Sequence, residues 1–183
     1  MIRHIALLLF LLFFWCFGFC QNPKAQKINI PGSSLTNIYA IDKDVYRSEQ
    51  PTSADFKALE RYGIKEVVNL RFWHSDRDEA EGIFLILHHI RTNAFSIDEQ
   101  EIIEILRIIK KRKGPVVFHC LHGSDRTGVV CAMYRIIFQG VSKEDAIKEL
   151  TEGGFGYHKI FYNIIVLIRN ADITRMKQKI EAP

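Results

Sequence analysis

A cysteine and an arginine lie close together in the segment HCLHGSDRTG, which spans residues 119–128. The apolar run PVVFH at 115–119 precedes the cysteine and predicts a buried strand, and a helical pattern follows Arg126. Where a loop joins a strand to a helix, its backbone N–H groups can converge on an anion, and the helix dipole adds positive potential there. The segment therefore predicts an anion-binding loop with Cys120 at its mouth.

The residue types in this loop predict phosphate chemistry at the thiol of Cys120. The dipoles of the loop and of the helix favour the thiolate, which is the nucleophilic form of cysteine. Arg126 is spaced so that its guanidinium can return across the loop and bind two phosphate oxygens. The hydroxyls of Ser124 and Thr127 can stabilise the thiolate as a leaving group. A cysteine after a strand is most often a small buried side chain, and the spacing to Arg126 argues against that interpretation here.

Strand and helix patterns alternate on both sides of this loop. Apolar runs predict strands at 45–46, at 66–70, toward the end of 83–90 and at 115–119. Helices are predicted after N-terminal caps at Thr52, Ser96 and Ser142, after Arg126, and over 157–171 and 173–179. This alternation predicts an α/β sheet with extra helices at the C-terminal end.

Composition limits the classes of protein to which the chain can belong. It has 183 residues, of which 48% are hydrophobic and 25% charged, and its formal net charge is +4. This balance predicts a single globular domain. The charge excess is too small to indicate a nucleic-acid partner, and it is compatible with an anionic substrate. After residue 20 the sequence contains Cys120 and Cys131, without zinc-ligand spacing, so we predict neither a disulfide framework nor a metal site.

The segment HCLHGSDRTG fits the HCxxGxxR[ST]G signature of the cysteine-dependent protein tyrosine phosphatase superfamily. The segments YRSEQP at 46–51, GIK at 63–65, VNLR at 68–71 and GGFG at 153–156 resemble exported bacterial dual-specificity phosphatases. The resemblance extends from about residue 39 to about residue 172. It implies a central four- to five-stranded sheet flanked by helices, a phosphocysteine intermediate, and neither a metal nor another cofactor.

The resemblance also implies a role for each residue of the signature. Cys120 is the nucleophile, Arg126 clamps the phosphate, His119 tunes the thiolate, and Thr127 assists its departure. The implied substrate is a phosphorylated protein, chiefly one that carries phosphotyrosine, with some activity on phosphoserine or phosphothreonine. The residues expected to bind phosphate are Leu121, His122, Gly123, Ser124, Asp125 and Arg126.

The general acid that protonates the leaving oxygen is not part of the signature. Dual-specificity phosphatases carry this aspartate on a separate loop, and Asp98 is our candidate. Asp98 can equally be a first-turn carboxylate favoured by the dipole of the following helix. Asp125 is the rival, because an acid directly before the arginine resembles the CxxxxDR pattern of myotubularin-type lipid phosphatases.

Three alternative functions stay open. A phosphoinositide or inositol-phosphate phosphatase usually carries lysines in its loop, and here there is none between Cys120 and Arg126. A phosphate-binding pseudophosphatase would act as an interaction module, and the intact Cys120 and Arg126 argue against it. A rhodanese-like sulfur transferase also uses a cysteine loop, but the ending RTG fits phosphate transfer better.

Several polar residues outside the signature have two interpretations. Arg47 and Gln50 either belong to the site or only brace its loop. Cys131 is interpreted as a core residue of the helix after the signature. The charged residues His74, Asp76, Arg77 and Asp78 are interpreted as a solvated loop near the mouth of the site.

The N-terminal residues 1–20 have the pattern of a secretory signal. Arg3 precedes an apolar run over 5–20, which is short for a membrane-spanning helix of about 20 residues. Cleavage after Cys20 would release an exported, periplasmic chain that contacts the membrane only during export. The alternatives are a lipid on Cys20, which the large Phe19 disfavours, and an uncleaved membrane anchor. We therefore predict a signal peptide at 1–20, a linker at 21–34 and a phosphatase domain at 35–183.

Overall fold

The computed structural model describes residues 24–182, so the predicted signal peptide lies outside the described residues. The strands are β1 (Gln26–Lys27), β2 (Tyr39–Ala40), β3 (Val45–Ser48), β4 (Glu66–Asn69), β5 (Ile86–His89) and β6 (Val116–His119). The helices are α1 (Ser53–Tyr62), α2 (Glu99–Lys111), α3 (Asp125–Gln139), α4 (Lys143–Glu152), α5 (Tyr162–Asn170) and α6 (Ile173–Glu181), with a 3₁₀ turn at Lys159–Phe161. Within 24–182, none of these helices has the length and apolar character needed to cross a bilayer.

The strands form one six-stranded sheet in the order β1-β2-β3-β6-β4-β5. Strands β3, β6, β4 and β5 are parallel, and β1 and β2 join the sheet antiparallel. His119 at the end of β6 lies in register with Ser48 at the end of β3 and with Asn69 at the end of β4. The loops that follow these three strands therefore meet at one edge of the sheet, where α/β proteins bind their ligands.

Each face of the sheet is covered by a separate hydrophobic core. Val68, Val116 and Phe118 pack on one face with apolar residues of the helices α2 to α6. Val67 and Val117 point to the opposite face, where they pack with residues of α1. Successive residues of β6 are thus buried on alternate faces, which explains why its sequence is a continuous apolar run. The predicted α/β class is confirmed, with six strands instead of four or five.

Of the two additional strands, β1 comes from the segment for which a linker was expected, and β2 follows shortly after that segment. Backbone pairing joins Gln26 and Lys27 to β2, and the side chain of Ile30 is buried in the second core. Ser33 Oγ and Ser34 N donate hydrogen bonds to Asp55 Oδ1 at 2.8 Å and 2.6 Å. The linker prediction is therefore wrong for residues 24–34, which are part of the domain. Backbone pairing holds this polar segment, and a polar sequence gives no sign of such pairing.

The helix caps agree with the sequence at α1 and α4 and differ at α2. Thr52 caps α1 through a capping box, and Ser142 caps α4, as predicted. At α2 the capping box is formed by Asp98 and Glu101 instead of the expected Ser96. The two patterns, SxxE and DxxE, overlap in the sequence SIDEQE at 96–101, so the sequence alone does not choose between them.

Among the helix-capping residues, we expect Asp55 to contribute most to the free energy of unfolding. It is buried, and although burial opposes its ionised form, hydrogen bonds from Thr52, Ser34 and Ser33 lower the pKa of its carboxyl. We expect Asp55→Ala to lower the free energy of unfolding by about 2–4 kcal/mol, because a cap and several bonds to a charged group are lost together. The matched control is Asp145→Ala at the exposed start of α4, where the expected loss is about 0.3–1 kcal/mol.

Urea unfolding at several pH values checks both the size and the sign of this effect. A lowered native pKa means that the unfolded chain takes up a proton at Asp55 more readily than the native chain does. The stabilisation by Asp55 is therefore complete above about pH 4, the ordinary range of aspartate, and is lost as the pH falls through the native pKa. A difference between wild type and Asp55→Ala that grew on acidification would contradict this account.

Candidate active site

The segment between β6 and α3 forms a cradle, defined here as residues 120–126, that rests on the end of β3. Gly123 has φ +70°, and a Cβ at this position would lie 2.7 Å from Glu49 N and 2.8 Å from the carbonyl carbon of Ser48. Gln50 N also donates to Leu121 O at 3.1 Å. Only glycine permits both this left-handed conformation and this close approach between the two backbones.

Arg47 braces the cradle from inside the protein. Its side chain is buried, Nη2 donates to the carbonyl oxygen of Gly123, and the guanidinium carbon lies 3.9 Å from the centroid of the Phe155 ring. Of the two interpretations of Arg47, the structure therefore supports the bracing role. The guanidinium acts by fixing the backbone of the cradle.

Cys120, Arg126 and Thr127 are brought together by this short connection between β6 and α3. Arg126 Nη1 donates to Leu70 O at 3.3 Å and to Thr92 O at 3.4 Å, so the loops after β4 and β5 hold the guanidinium. Thr127 is fully buried, and its hydroxyl has no hydrogen-bond partner among residues 24–182. A buried hydroxyl beside the cradle without a partner suits a group that stabilises the departing thiolate.

A chain of hydrogen bonds fixes the imidazole of His119. His119 is fully buried, and its Nε2 lies 2.8 Å from Asp76 Oδ2. Gln50 Nε2 donates to the other oxygen of Asp76 at 2.8 Å, and Arg71 Nη1 donates to Gln50 Oε1 at 3.0 Å. Burial opposes ionisation of Asp76, but the bonds from His119 and Gln50 outweigh it and lower the pKa of the carboxyl. The other ring nitrogen of His119 lies 3.1 Å from Cys120 O.

The solvated-loop prediction is wrong for Asp76, although it holds for the exposed Arg77 and Asp78. The charged, aperiodic sequence around Asp76 does not indicate burial, because the burial of Asp76 depends on packing against His119, which lies far along the chain at the end of β6. The position of Asp76 in the sequence could nevertheless have indicated a role in the site. Asp76 closely follows the buried strand β4, at the edge where the strand that carries His119 also ends.

The loop before α5 is attached to the cradle by residues that the sequence analysis did not assign to this role. Ser124 Oγ donates to Phe155 O at 2.8 Å, so its hydroxyl is not directed to the thiolate. Asp125 Oδ1 accepts from His158 N at 2.9 Å, and Oδ2 lies 2.8 Å from His158 Nδ1. His158 was not recognised from the sequence, because nothing in its local pattern indicates a partner far along the chain.

Asp98 lies at the start of α2, where its side chain is exposed. Its Oδ1 accepts from Glu101 N at 2.9 Å, and its own N–H donates to Glu101 Oε2 at 2.9 Å. Within the described part of the chain, no hydrogen bond joins Asp98 to the cradle. The loop before α2 approaches Arg126 through the carbonyl of Thr92 instead.

A possible cation-binding group near the site is explained by contacts within the protein. The ligand atoms of His74, Asp76 and Glu79 lie within 4.8 Å of one another. Both oxygens of Asp76 already serve His119 and Gln50, and His74 Nε2 lies 2.9 Å from Glu79 Oε1.

Cys131 lies inside α3 and is buried, as predicted for a core residue. Burial raises the pKa of its thiol, and the nearby charge of Arg47 only partly opposes this effect. Cys131 is therefore a poor nucleophile at neutral pH, since the thiolate is the reactive form.

Residues 42–140 match a family described as Tc-R-P, the DSP-PTPase phosphatase of polymorphic toxin systems. The match includes β3, β4, β5 and β6, the cradle, and both loops that hold Arg126. The chain therefore belongs to the DSP-PTPase phosphatase family.

The dual specificity protein phosphatase TpbA of Pseudomonas aeruginosa strain UCBPP-PA14 is 33% identical over 143 residues, which are 77% of this chain and 65% of TpbA. The chain thus spans slightly less than two thirds of this relative. A crystal structure of P. aeruginosa TpbA has a TM-score of 0.75 at 31% identity, over 86% of this chain and 96% of that chain. A cysteine-to-serine variant of TpbA in complex with pTyr has a TM-score of 0.76 at 29% identity, over 89% and 99% of the two chains.

The contact between Gly123 and β3 leads to a prediction with a matched control. Gly123 and Gly140 have similar φ values, +70° and +68°, but a Cβ at Gly140 would meet nothing within 4 Å. Both alanine variants should lose about 1–2 kcal/mol of stability through backbone strain. Only Gly123→Ala should also displace the cradle, and a displacement of about 1 Å lowers kcat/KM on an aryl phosphate by about 10²-fold.

Steady-state kinetics and urea unfolding of the two variants separate these effects. Similar activity in the two variants, at similar stability, would show that the close approach to β3 does not position the cradle.

Proposed function

We propose that this chain hydrolyses phosphomonoesters through a phosphocysteine intermediate formed on Cys120. Its preferred substrates are proteins that carry phosphotyrosine, with some activity on phosphoserine or phosphothreonine. The observation that carries the proposal is the cradle itself, in which Gly123 fixes the loop on the end of β3 and the loops after β4 and β5 hold the guanidinium of Arg126. The name of the relative TpbA and its complex with pTyr support the same substrate class.

In the first step the thiolate of Cys120 attacks phosphorus. A sulfur–phosphorus bond forms as the phosphorus–oxygen bond to the leaving group breaks, and the leaving oxygen takes up a proton. The negative charge spreads over the three remaining phosphate oxygens. Backbone N–H groups of the cradle and the guanidinium of Arg126 stabilise that charge without reorganising, because neighbouring loops hold them in place.

In the second step water attacks the phosphocysteine. The sulfur–phosphorus bond breaks, inorganic phosphate leaves, and the sulfur departs as a thiolate. The unpartnered hydroxyl of Thr127 can donate a hydrogen bond to that thiolate. His119 acts as a positioning residue, because its ring nitrogens are occupied by Asp76 and by the carbonyl of Cys120.

Exchange of Cys120 tests the covalent mechanism. Cys120→Ser should show no measurable hydrolysis of a phosphotyrosine peptide and should still bind phosphate, because the cradle and Arg126 remain. Arg126→Lys should lower both turnover and phosphate affinity, since an ammonium cannot reproduce the planar, bidentate guanidinium. The matched control is Cys131→Ala, in which the buried, unreactive cysteine is lost and activity should persist.

Kinetics on a phosphotyrosine peptide, an inositol phosphate and thiosulfate, together with phosphate binding, give the result. Preferential turnover of the inositol phosphate would replace the proposed substrate class, and turnover of thiosulfate would indicate a sulfur transferase. Substantial activity in Cys120→Ser would disprove the phosphocysteine step.

The proposal extends to the cellular location of the enzyme. The charged and apolar pattern of residues 1–20 supports export, and cleavage after Cys20 would place the mature enzyme in the periplasm. N-terminal sequencing of the full-length protein, expressed in a bacterium and recovered from the envelope fraction, should give a chain that begins at Gln21. Retention of residues 1–20, or a lipid on Cys20, would contradict cleavage.

A further inference from the structure

We propose that His158, oriented by Asp125, is the general acid that protonates the leaving oxygen. This inference rests on the proposed function and concerns the same site. It replaces the aspartate expected from the sequence with a histidine from the loop before α5.

Asp125 fixes the imidazole of His158 with two contacts. Asp125 begins α3 and is buried next to Arg126, and it accepts from His158 N at 2.9 Å and faces His158 Nδ1 at 2.8 Å. Carboxylate oxygens only accept hydrogen bonds, so Nδ1 carries the hydrogen of this contact. In the described part of the chain Nε2 has no hydrogen-bond partner. The ring is thus held by one nitrogen and free to exchange a proton at the other, as in other carboxylate–histidine pairs.

The imidazole of His158 lies on the rim of the cradle. Its ring centroid is 5.7 Å from that of His122, which belongs to the cradle, and its side chain is 50% exposed. On the other side it contacts Phe161, whose ring lies 4.7 Å from that of Phe95. Phe95 belongs to the same loop as Thr92, which holds Arg126. The partly exposed imidazole therefore lies between the cradle and the loop that holds Arg126.

The carboxylates of this region are each engaged within the fold. Asp76 is buried against His119 and Gln50, and Glu49 accepts from the backbone of Thr36 and Asn37. Asp98 caps α2, away from any hydrogen bond to the cradle. His158 differs from all of them, because its ring combines a fixed orientation, partial exposure to solvent and an unused proton site at Nε2.

In both steps the transferred proton leaves from or returns to His158 Nε2. In the first step the imidazolium of His158 transfers the Nε2 proton to the leaving oxygen, which keeps the electron pair of the broken phosphorus–oxygen bond. In the second step the neutral ring takes a proton from the attacking water and returns to the imidazolium. Asp125 stabilises the imidazolium before the first step and after the second, and it accepts from Nδ1 while the ring is neutral.

The ionisable groups beside His158 are Asp125 on α3, His122 in the cradle and Tyr157 in its own loop. Burial, and then the charge of Asp125, raise the pKa of Tyr157, so this phenol stays neutral around neutral pH.

The test compares His158→Gln with wild type on two substrates. One is a phosphotyrosine peptide, whose leaving phenol requires protonation, and the other is an aryl phosphate whose phenol is strongly acidic. Loss of a positioned acid should lower kcat on the peptide by at least about 10²-fold and change the activated substrate only a few-fold. KM should stay similar, and the alkaline limb of the wild-type pH profile on the peptide should disappear. Added imidazole should partly restore peptide turnover in His158→Ala.

Further variants separate catalysis from support of the cradle. His88→Gln is the matched control, because His88 lies on the edge strand β5 and pairs with Glu66. Asp125→Asn keeps an acceptor for His158 N but loses the charge, so it should show the same substrate-selective loss. Asp98→Asn should leave the ratio of the two rates unchanged.

Three results would overturn the proposal. Equal losses on both substrates in His158→Gln would show that the residue only supports the cradle. A change confined to KM would make it a phosphate-binding residue, and a substrate-selective loss in Asp98→Asn would return the acid to Asp98. Failure of the proposed function is distinguishable, since wild type would then hydrolyse neither substrate or Cys120→Ser would remain active.

Discussion

The active site depends on the contact between two pieces of backbone, at Gly123 in the cradle and at Ser48 and Glu49 at the end of β3. At this distance a single Cβ does not fit, so the end of one parallel strand sets the height of the cradle. The buried Arg47 fixes the same part of the cradle by donating a hydrogen bond to the carbonyl oxygen of Gly123. The parallel register of β3, β6 and β4 is therefore a requirement of the chemistry, because it brings these partners to one level.

The polar and charged side chains around the cradle are buried, and their main effect is to fix the orientation of the site residues, more than to stabilise the fold. Removing an ion from water costs several kcal/mol, and its partners in a protein often do no more than offset that cost. Arg47, Asp76 and His119 are nonetheless nearly inaccessible to solvent. Burial fixes the orientation of these side chains. A buried polar group would be left unpaired in any other conformation, so it has one low-energy arrangement. Rigid support of this kind is what an electrostatic catalyst requires.

The groups that we propose to contact phosphate can be predicted from the sequence, whereas the groups that orient them cannot. Cys120 and Arg126 can be predicted because one strand, one loop and one helix place them, so their spacing encodes their geometry. Asp76 and His158 act across β4, β6 and the loop before α5, and their partners are far away in sequence. The polar segment 24–34 and the overlapping caps of α2 were mispredicted for a related reason: backbone pairing and the choice between similar caps are decided by packing.

The cradle and the loops around it differ in how far their sequences can vary. The cradle is built from consecutive residues and is fixed on β3, so it can vary little without losing the anion site. The loop that carries Thr92 and Phe95 and the loop that carries Phe155 and His158 contact the cradle through backbone carbonyls or through a single carboxylate. A carbonyl contact does not depend on side-chain identity, so the residues of these loops can change while Arg126 stays in place. A fixed cradle surrounded by variable loops allows a proton donor to come from a different loop, and the donor that we propose, His158, is attached next to the arginine by its pairing with Asp125.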